Sequence, residues 1–246
     1  VYIRSLRWNI LLNNKLSKTF LYKSQMIGYF GNNLLPFRLG ELLRTFIVSE
    51  KYQLSKSVVF GSIVLERILD MFMTGVFILF IIFLNKNFLF NIHAALFYGL
   101  IVIVLLGAFG IILAYQKIKF KFNTSNKLLL IFNDIFKGFF SLNHSNIISV
   151  LSLTIIIWLI YFIQVHIMQH AFGLDLNFNQ SLILLVISTA VISIPALPGN
   201  FGTFEGSVVY SLSLFNIIDD FGFAFILHFI SFIPYTVFGL YYFLEK

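Results

Sequence analysis

The chain has 246 residues, of which 59% are apolar and 11% charged, with a mean hydropathy of +0.92 and a formal net charge of +7. Soluble domains carry about 45–50% apolar and about 25% charged residues, so an ordinary water-soluble fold is excluded. The low polarity, with 4 prolines and 15 unpatterned glycines, excludes disorder and collagen, and the absence of cysteine excludes a disulfide scaffold and thiolate catalysis.

The first 24 residues are hydrophobic and basic, with Arg4, Arg7, Lys15, Lys18 and Lys23, no acid, and no signal-peptide pattern. Residues 25–48 are apolar but interrupted by Asn32, Asn33, Pro36, Arg38, Gly40, Glu41 and Arg44. A transmembrane helix needs about 20 mostly apolar residues, and four runs qualify: 57–84, 94–115, 147–170 and 222–244. None alternates with period 2, so barrel strands are not expected. The connection at 116–146 is too short for a soluble catalytic domain. Within it, residues 126–141 set Leu128, Ile131, Phe132, Ile135, Phe136 and Phe139 on one helical stripe. That helix either lies in the membrane interface or packs on the bundle. Residues 181–218 form the second interrupted stretch, broken by Pro195, Pro198, Gly199, Asn200, Gly202 and Glu205. Trp8, Tyr22, Tyr98, Tyr115, Tyr210, Tyr241 and Tyr242 sit near element ends, as interfacial anchors do.

The positive charge is uneven. Residues 116–146 carry Lys117, Lys119, Lys121, Lys127 and Lys137 against Asp134, whereas the loops at 85–93 and 171–180 hold only Lys86 and Asp175. The positive-inside rule therefore expects residues 1–24 and 116–146 on the cytoplasmic side of a cell (inner or plasma) membrane. With two full spans between them, residues 25–48 must enter and leave on one side, as a re-entrant hairpin. The same form for residues 181–218 puts Asp219 and Asp220 outside and the C-terminus inside. Orientation and contact with anionic lipid account for the basic balance, and no nucleic-acid partner is expected.

The two interruptions match. Leu35-Pro36-Phe37-Arg38-Leu39-Gly40-Glu41 and Leu197-Pro198-Gly199-Asn200-Phe201-Gly202-Thr203-Phe204-Glu205 both read Leu-Pro, three residues, Gly, then Glu at once or after two more. Pro36, Gly40, Pro198, Gly199 and Gly202 are the helix breakers. Backbone groups freed there cannot face lipid, and paired breaks of this kind point to inverted repeats around a polar site.

Seven charges fall in apolar stretches: Arg38, Glu41 and Arg44 in the first, Glu66, Arg67 and Asp70 in residues 57–84, and Glu205 in the last. Their sum of three positive and four negative is close to neutral. Each costs at least about 2.5–3.5 kcal/mol in mid-membrane, so they must compensate one another. One reading makes them ion pairs that hold the broken helices. The other makes them a polar cavity for a lipid headgroup, with Arg38, Arg44 or Arg67 on a phosphate and the carboxylates on a hydroxyl or amine. Asn32, Asn33 and Asn200 would add neutral hydrogen bonds. His166 and His170 are spaced i,i+4 but lack the acid of a zinc-protease helix, and His93, His144 and His228 are isolated. No catalytic residue, metal or cofactor is expected.

Arg7-Trp8 with Leu11-Leu12, the run from Gly28 to Arg44 with Asn32, Pro36, Arg38, Gly40 and Glu41, Glu66-Arg67-Ile68-Leu69-Asp70, and Pro198-Gly199-Asn200-Phe201-Gly202-Thr203-Phe204-Glu205 together resemble the transmembrane region of lysylphosphatidylglycerol synthases. That group is also called the flippase-like domain family. The resemblance implies a polytopic inner-membrane protein related to lipid translocation. It also implies one flippase-like domain over 1–246 that lacks the one or two helices the family carries before the Arg-Trp element. Some members carry a fused aminoacyl-lipid synthase or glycosyltransferase domain, and no counterpart lies in these residues. The expectation is an all-α bundle of four spans and two opposed re-entrant hairpins that moves, or helps to move, a phospholipid, hopanoid or polyprenyl-linked glycan. The rivals are a membrane-embedded headgroup transferase using Glu66 and Asp70, and a non-transporting partner of a separate synthase or glycosyltransferase.

Overall fold

The computed structural model describes residues 1–13, 16–84, 127–139, 141–142, 145–193, 197–217 and 220–245. The expected span at 94–115, Pro195, Asp219 and most of the 116–146 connection lie outside the described residues. Every regular element among those described is helical. In chain order they are α1 (Tyr2–Leu11), α2 (Lys18–Leu34), a 3-10 turn (Pro36–Arg38), α3 (Gly40–Tyr52), α4 (Lys56–Leu84), α5 (Lys127–Phe139), α6 (Ile147–Ala171), α7 (Phe178–Ser193), a second 3-10 turn (Pro198–Asn200), α8 (Thr203–Ser213) and α9 (Phe221–Leu244).

Among the described residues, three helices are long and apolar enough to cross a membrane: α4 with 29 residues, α6 with 25 and α9 with 24. Ile148, Ile155, Ile163, Ile167, Val237 and Phe238 point outward from α6 and α9, which suits a lipid solvent. One core joins α4, α6, α7, α8 and α9 through Met73, Trp158, Leu184, Val208 and Phe223. A second joins α1 to α4 through Trp8, Leu21, Val48, Val59 and Ile63. The amphipathic segment packs on the bundle as α5. Gly138 approaches the Val58 carbonyl so closely that a Cβ has no room, while Leu130, Ile131 and Phe136 stay exposed.

Both interrupted stretches fold as helical hairpins with the same kind of tip. Leu35 is extended, Pro36 opens the turn, and Phe37 and Arg38 take left-handed φ of 55° and 56° before α3 returns along α2. Leu197 is extended, Pro198 opens the turn, and Gly199 and Asn200 take φ of 62° and 57° before α8 returns along α7. Proline presets its own φ and disfavours helix in the residue before it, which gives both tips their extended leucine. The first hairpin closes tightly because glycines face each other. A Cβ on Gly31 would lie 2.8 Å from the Gly40 Cα, and one on Gly40 would run into the Gly28 carbonyl. The two tips touch, and the second also rests on α2.

Candidate functional site

Four elements converge on one ion-pair network. Arg4 and Arg7 are one turn apart on α1, as are Glu41 and Arg44 on α3 and Glu66 and Asp70 on α4, so each pair shares a face. Arg44 Nη2 lies 2.9 Å from Glu66 Oε2, and Arg7 Nη2 is 3.6 Å from Glu66 Oε1. Asp70 receives Arg7 and Arg4, each at 2.9 Å, and Arg67 at 3.7 Å. Arg67 Nε then reaches Glu41 Oε1 at 2.7 Å, and Arg38 stands 3.7 Å from the same oxygen. Side-chain bonds brace the array. Arg4 Nε donates to the Tyr161 hydroxyl at 2.7 Å, Arg7 Nη1 to Thr154 Oγ1 at 3.1 Å, and the Arg44 guanidinium lies 4.6 Å over the Trp8 ring.

The network has a dry end and a wet end. The side chains of Arg7 and Glu66 are 0% exposed and that of Arg44 3%, whereas Asp70, Glu41, Arg38 and Arg67 reach 13%, 15%, 21% and 26%. The wet four form the floor of a cleft of about 350 Å³ that is also lined by Phe37, Leu39, Leu42, Phe60, Met71 and Ser193. Phe37, Leu39, Leu42 and Met71 are exposed, so the rim is apolar while the floor is charged. Arg38 also donates to the Ile192 carbonyl in the last turn of α7. Carbonyls there lack intrahelical partners and carry the negative end of the helix dipole, which suits a guanidinium.

The charge count departs from the sequence sum. The interacting set contains Arg4, Arg7, Arg38, Arg44 and Arg67 against Glu41, Glu66 and Asp70, five positive and three negative, a net +2 rather than near neutrality. Two causes combine. Arg4 and Arg7, counted from sequence among the flanking basic residues, are buried by α1 against α4. Glu205 belongs to another site. Its Oε2 accepts the Gly202 amide at 2.8 Å, at the N-terminus of α8, and its Oε1 lies 2.7 Å from His228 Nδ1.

Of the residues singled out in the sequence, Arg38, Glu41, Arg44, Glu66, Arg67 and Asp70 are brought together. Asn32 packs against Gly40 inside the first hairpin. Asn33 ties that hairpin to α9, donating to Thr236 Oγ1 at 2.8 Å and to the Phe232 carbonyl at 3.2 Å. Asn200 occupies the left-handed corner of the second tip, and its carbonyl accepts from Thr203. Sequence reasoning missed Arg4, Arg7, Tyr161 and His228, and the description of His228 as isolated is corrected by its carboxylate partner. A signal existed for the arginines: Glu66-x-x-x-Asp70 puts two acids on one face of a long apolar helix, which calls for cations from elsewhere. No group of three metal-ligating side chains occurs among the described residues, and His166 bonds Ser181 Oγ at 3.0 Å instead.

The sequence model of one family, described as the lysylphosphatidylglycerol synthase TM region, matches residues 1–239. A UPF0104 membrane protein of Methanocaldococcus jannaschii is 25% identical over 227 residues, covering 88% of this chain and 95% of that protein. No solved structure matches the chain.

Proposed function

Because the chain belongs to the lysylphosphatidylglycerol synthase transmembrane-region family of membrane proteins, we propose that its cleft takes the phosphate-bearing head of a membrane lipid and that the protein moves, or helps to move, that lipid between leaflets of the cell membrane. The observation that carries this reading is the pairing of a guanidinium-rich floor, part of a network of net charge +2, with an exposed apolar rim. Arginine forks bind phosphate oxygens in pairs. A head seated on Arg38 and Arg67 leaves its tails over Phe37, Leu39, Leu42 and Met71, where they stay in the bilayer. The dry end serves a different purpose. Glu66 has no exposure and is locked between Arg7 and Arg44, a poor place for an acid–base catalyst, which favours carriage over headgroup transfer.

In this reading the hairpins are re-entrant and opposed, an inverted repeat whose tips meet near the midplane. Residues 116–146 and the N-terminal segment face the cytoplasm. With Arg4 and Arg7 inside the network, Lys15, Lys18 and Lys23 carry the N-terminal orientation signal.

The test is movement of fluorescent phosphatidylglycerol in phosphatidylcholine vesicles holding the purified protein, with a membrane-impermeant quencher outside. The wild type exposes inner-leaflet label faster than empty vesicles do. Arg38→Ala and Arg67→Ala each slow this by about tenfold, as expected for one lost charge-assisted contact, and Lys23→Ala leaves it unchanged. Label that moves no faster than in empty vesicles, or folded Arg38 and Arg67 variants that match the wild type, refutes the reading.

A further inference from the structure

Glu205 and His228 lie outside the arginine network. Both are buried, at 2% and 7% exposure, and Glu205 Oε1 is 2.7 Å from His228 Nδ1. Phe201, Phe204 and Phe232 surround the imidazole at ring-centroid distances of 5.1, 4.8 and 5.7 Å. The pair differs in kind from the network's acids. Glu41, Glu66 and Asp70 each face arginine, which keeps its charge at all ordinary pH, while the ion-pair partner of Glu205 among the described residues is a histidine. The other oxygen of Glu205 holds the Gly202 amide, at the joint between the second tip and α8.

Among the described residues, no other ion-pair partner reaches Glu205 or His228. Helix α7 carries no charged residue, and α8 carries only Glu205. On α2, Lys23 is paired with Glu245 and Tyr29 stacks on Tyr235 of α9. On α6, Tyr161 takes Arg4 and His166 bonds Ser181, with His170 against the His166 ring. Asp220 caps α9 through the Phe223 amide, and Arg38 of the first tip is engaged by Glu41 and Ile192.

We propose that Glu205 and His228 form a binding site for one exchangeable proton, and that its occupancy sets how firmly the second hairpin tip is held. With a neutral imidazole, Nδ1–H donates to Oε1, the pair carries one net negative charge, and the carboxylate is a strong acceptor for the Gly202 amide. Proton uptake forms one N–H bond at Nε2, taking the proton from a hydronium ion and leaving water. The pair is then neutral overall, and the carboxylate charge is drawn toward the imidazolium. The carboxylate stays ionised in both states, but the imidazolium draws its charge toward Oε1, so Oε2 becomes a weaker acceptor and the Gly202 amide loosens. Gly202 has a φ of 78° and nothing within 4 Å of where a Cβ would stand, so the joint has space in which to move.

The experiment needs no lipid substrate, so its result is independent of the vesicle assay. The full chain, labelled with nitrogen-15 at histidine and glycine, is titrated in detergent micelles over about pH 5–8, where histidine changes charge. The expected result is that the His228 ring signals and the Gly202 amide signal shift with one common midpoint, and that His228→Gln removes the Gly202 transition. A Gly202 amide that stays fixed while His228 titrates overturns the proposal, as does a His228 that keeps one protonation state throughout. The wild-type titration decides the matter by itself if the variant does not fold.

Discussion

Neutralising Glu66 tests whether the dry end of the network holds the fold. Glu66→Gln keeps the side-chain shape and one acceptor oxygen but removes the negative charge between Arg44 at 2.9 Å and Arg7 at 3.6 Å. Arg7 keeps Asp70 at 2.9 Å, so the loss falls mainly on Arg44, which is left with the Trp8 ring at 4.6 Å. Removing one partner of a buried pair costs about 3–5 kcal/mol, and a cation over an aromatic face returns about 0.5–2. The net expectation is about 1–4.5 kcal/mol, or roughly 5- to 2,000-fold in the folding equilibrium. Reversible unfolding of the purified protein in mixed detergent micelles, read by tryptophan fluorescence, measures it. Breaking the exposed Lys23–Glu245 pair with Lys23→Ala gives a control with little measurable change. Replacing both partners, Arg44→Met with Glu66→Met, recovers most of the loss because no uncompensated charge remains. If Glu66→Gln unfolds at the same point as the Lys23 control, the burial argued for this end of the network is refuted.

Two glycine comparisons probe the hairpins by thermal unfolding of the same preparation. Gly40→Ala forces a Cβ onto the Gly28 carbonyl and the Asn32 backbone, atoms that cannot move aside, and loses about 1–3 kcal/mol. Gly206→Ala in α8 meets nothing within 4 Å and gains about 0.5–1 kcal/mol; equal effects at the two sites would disprove the close approach of α2 and α3. The tips make an opposite-signed pair. Phe37 holds a left-handed φ of 55° with its ring exposed, so Phe37→Gly stays within about 1 kcal/mol of wild type. Gly199→Ala adds a Cβ at φ of 62° and 2.7 Å from the Phe232 ring, and costs about 1–3 kcal/mol; a tolerant Gly199 and an intolerant Phe37 would contradict the matched geometry of the tips.

The hairpins were legible because proline and glycine act on the backbone directly. The two Leu-Pro elements carry little side-chain identity beyond that dipeptide, yet they adopt the same extended-then-left-handed path. Six of the ten candidate site residues could be grouped from sequence for a related reason: an ionised side chain in an apolar run has to find others like itself. What sequence could not give was partnership across long separations. Arg4 and Arg7 look like flanking positive charge until α1 turns them toward α4, 63 to 66 residues away. Glu205 looks like one more member of the cluster until α9 offers it an imidazole 23 residues on. The α5 stripe is ambiguous for another reason, since an apolar face has the same period whether it meets lipid or protein, and it is contacts such as that of Gly138 with Val58 that identify its neighbour.

The rim of the cleft has a consequence for selectivity. Phe37, Leu39, Leu42 and Met71 are exposed along the cleft. For a lipid held by its head alone, each methylene of the tail is solvated by neighbouring acyl chains both before and after docking, so its contribution cancels. Preference among phospholipids should then rank by ionic charge at the head and be blind to fatty-acid length and saturation.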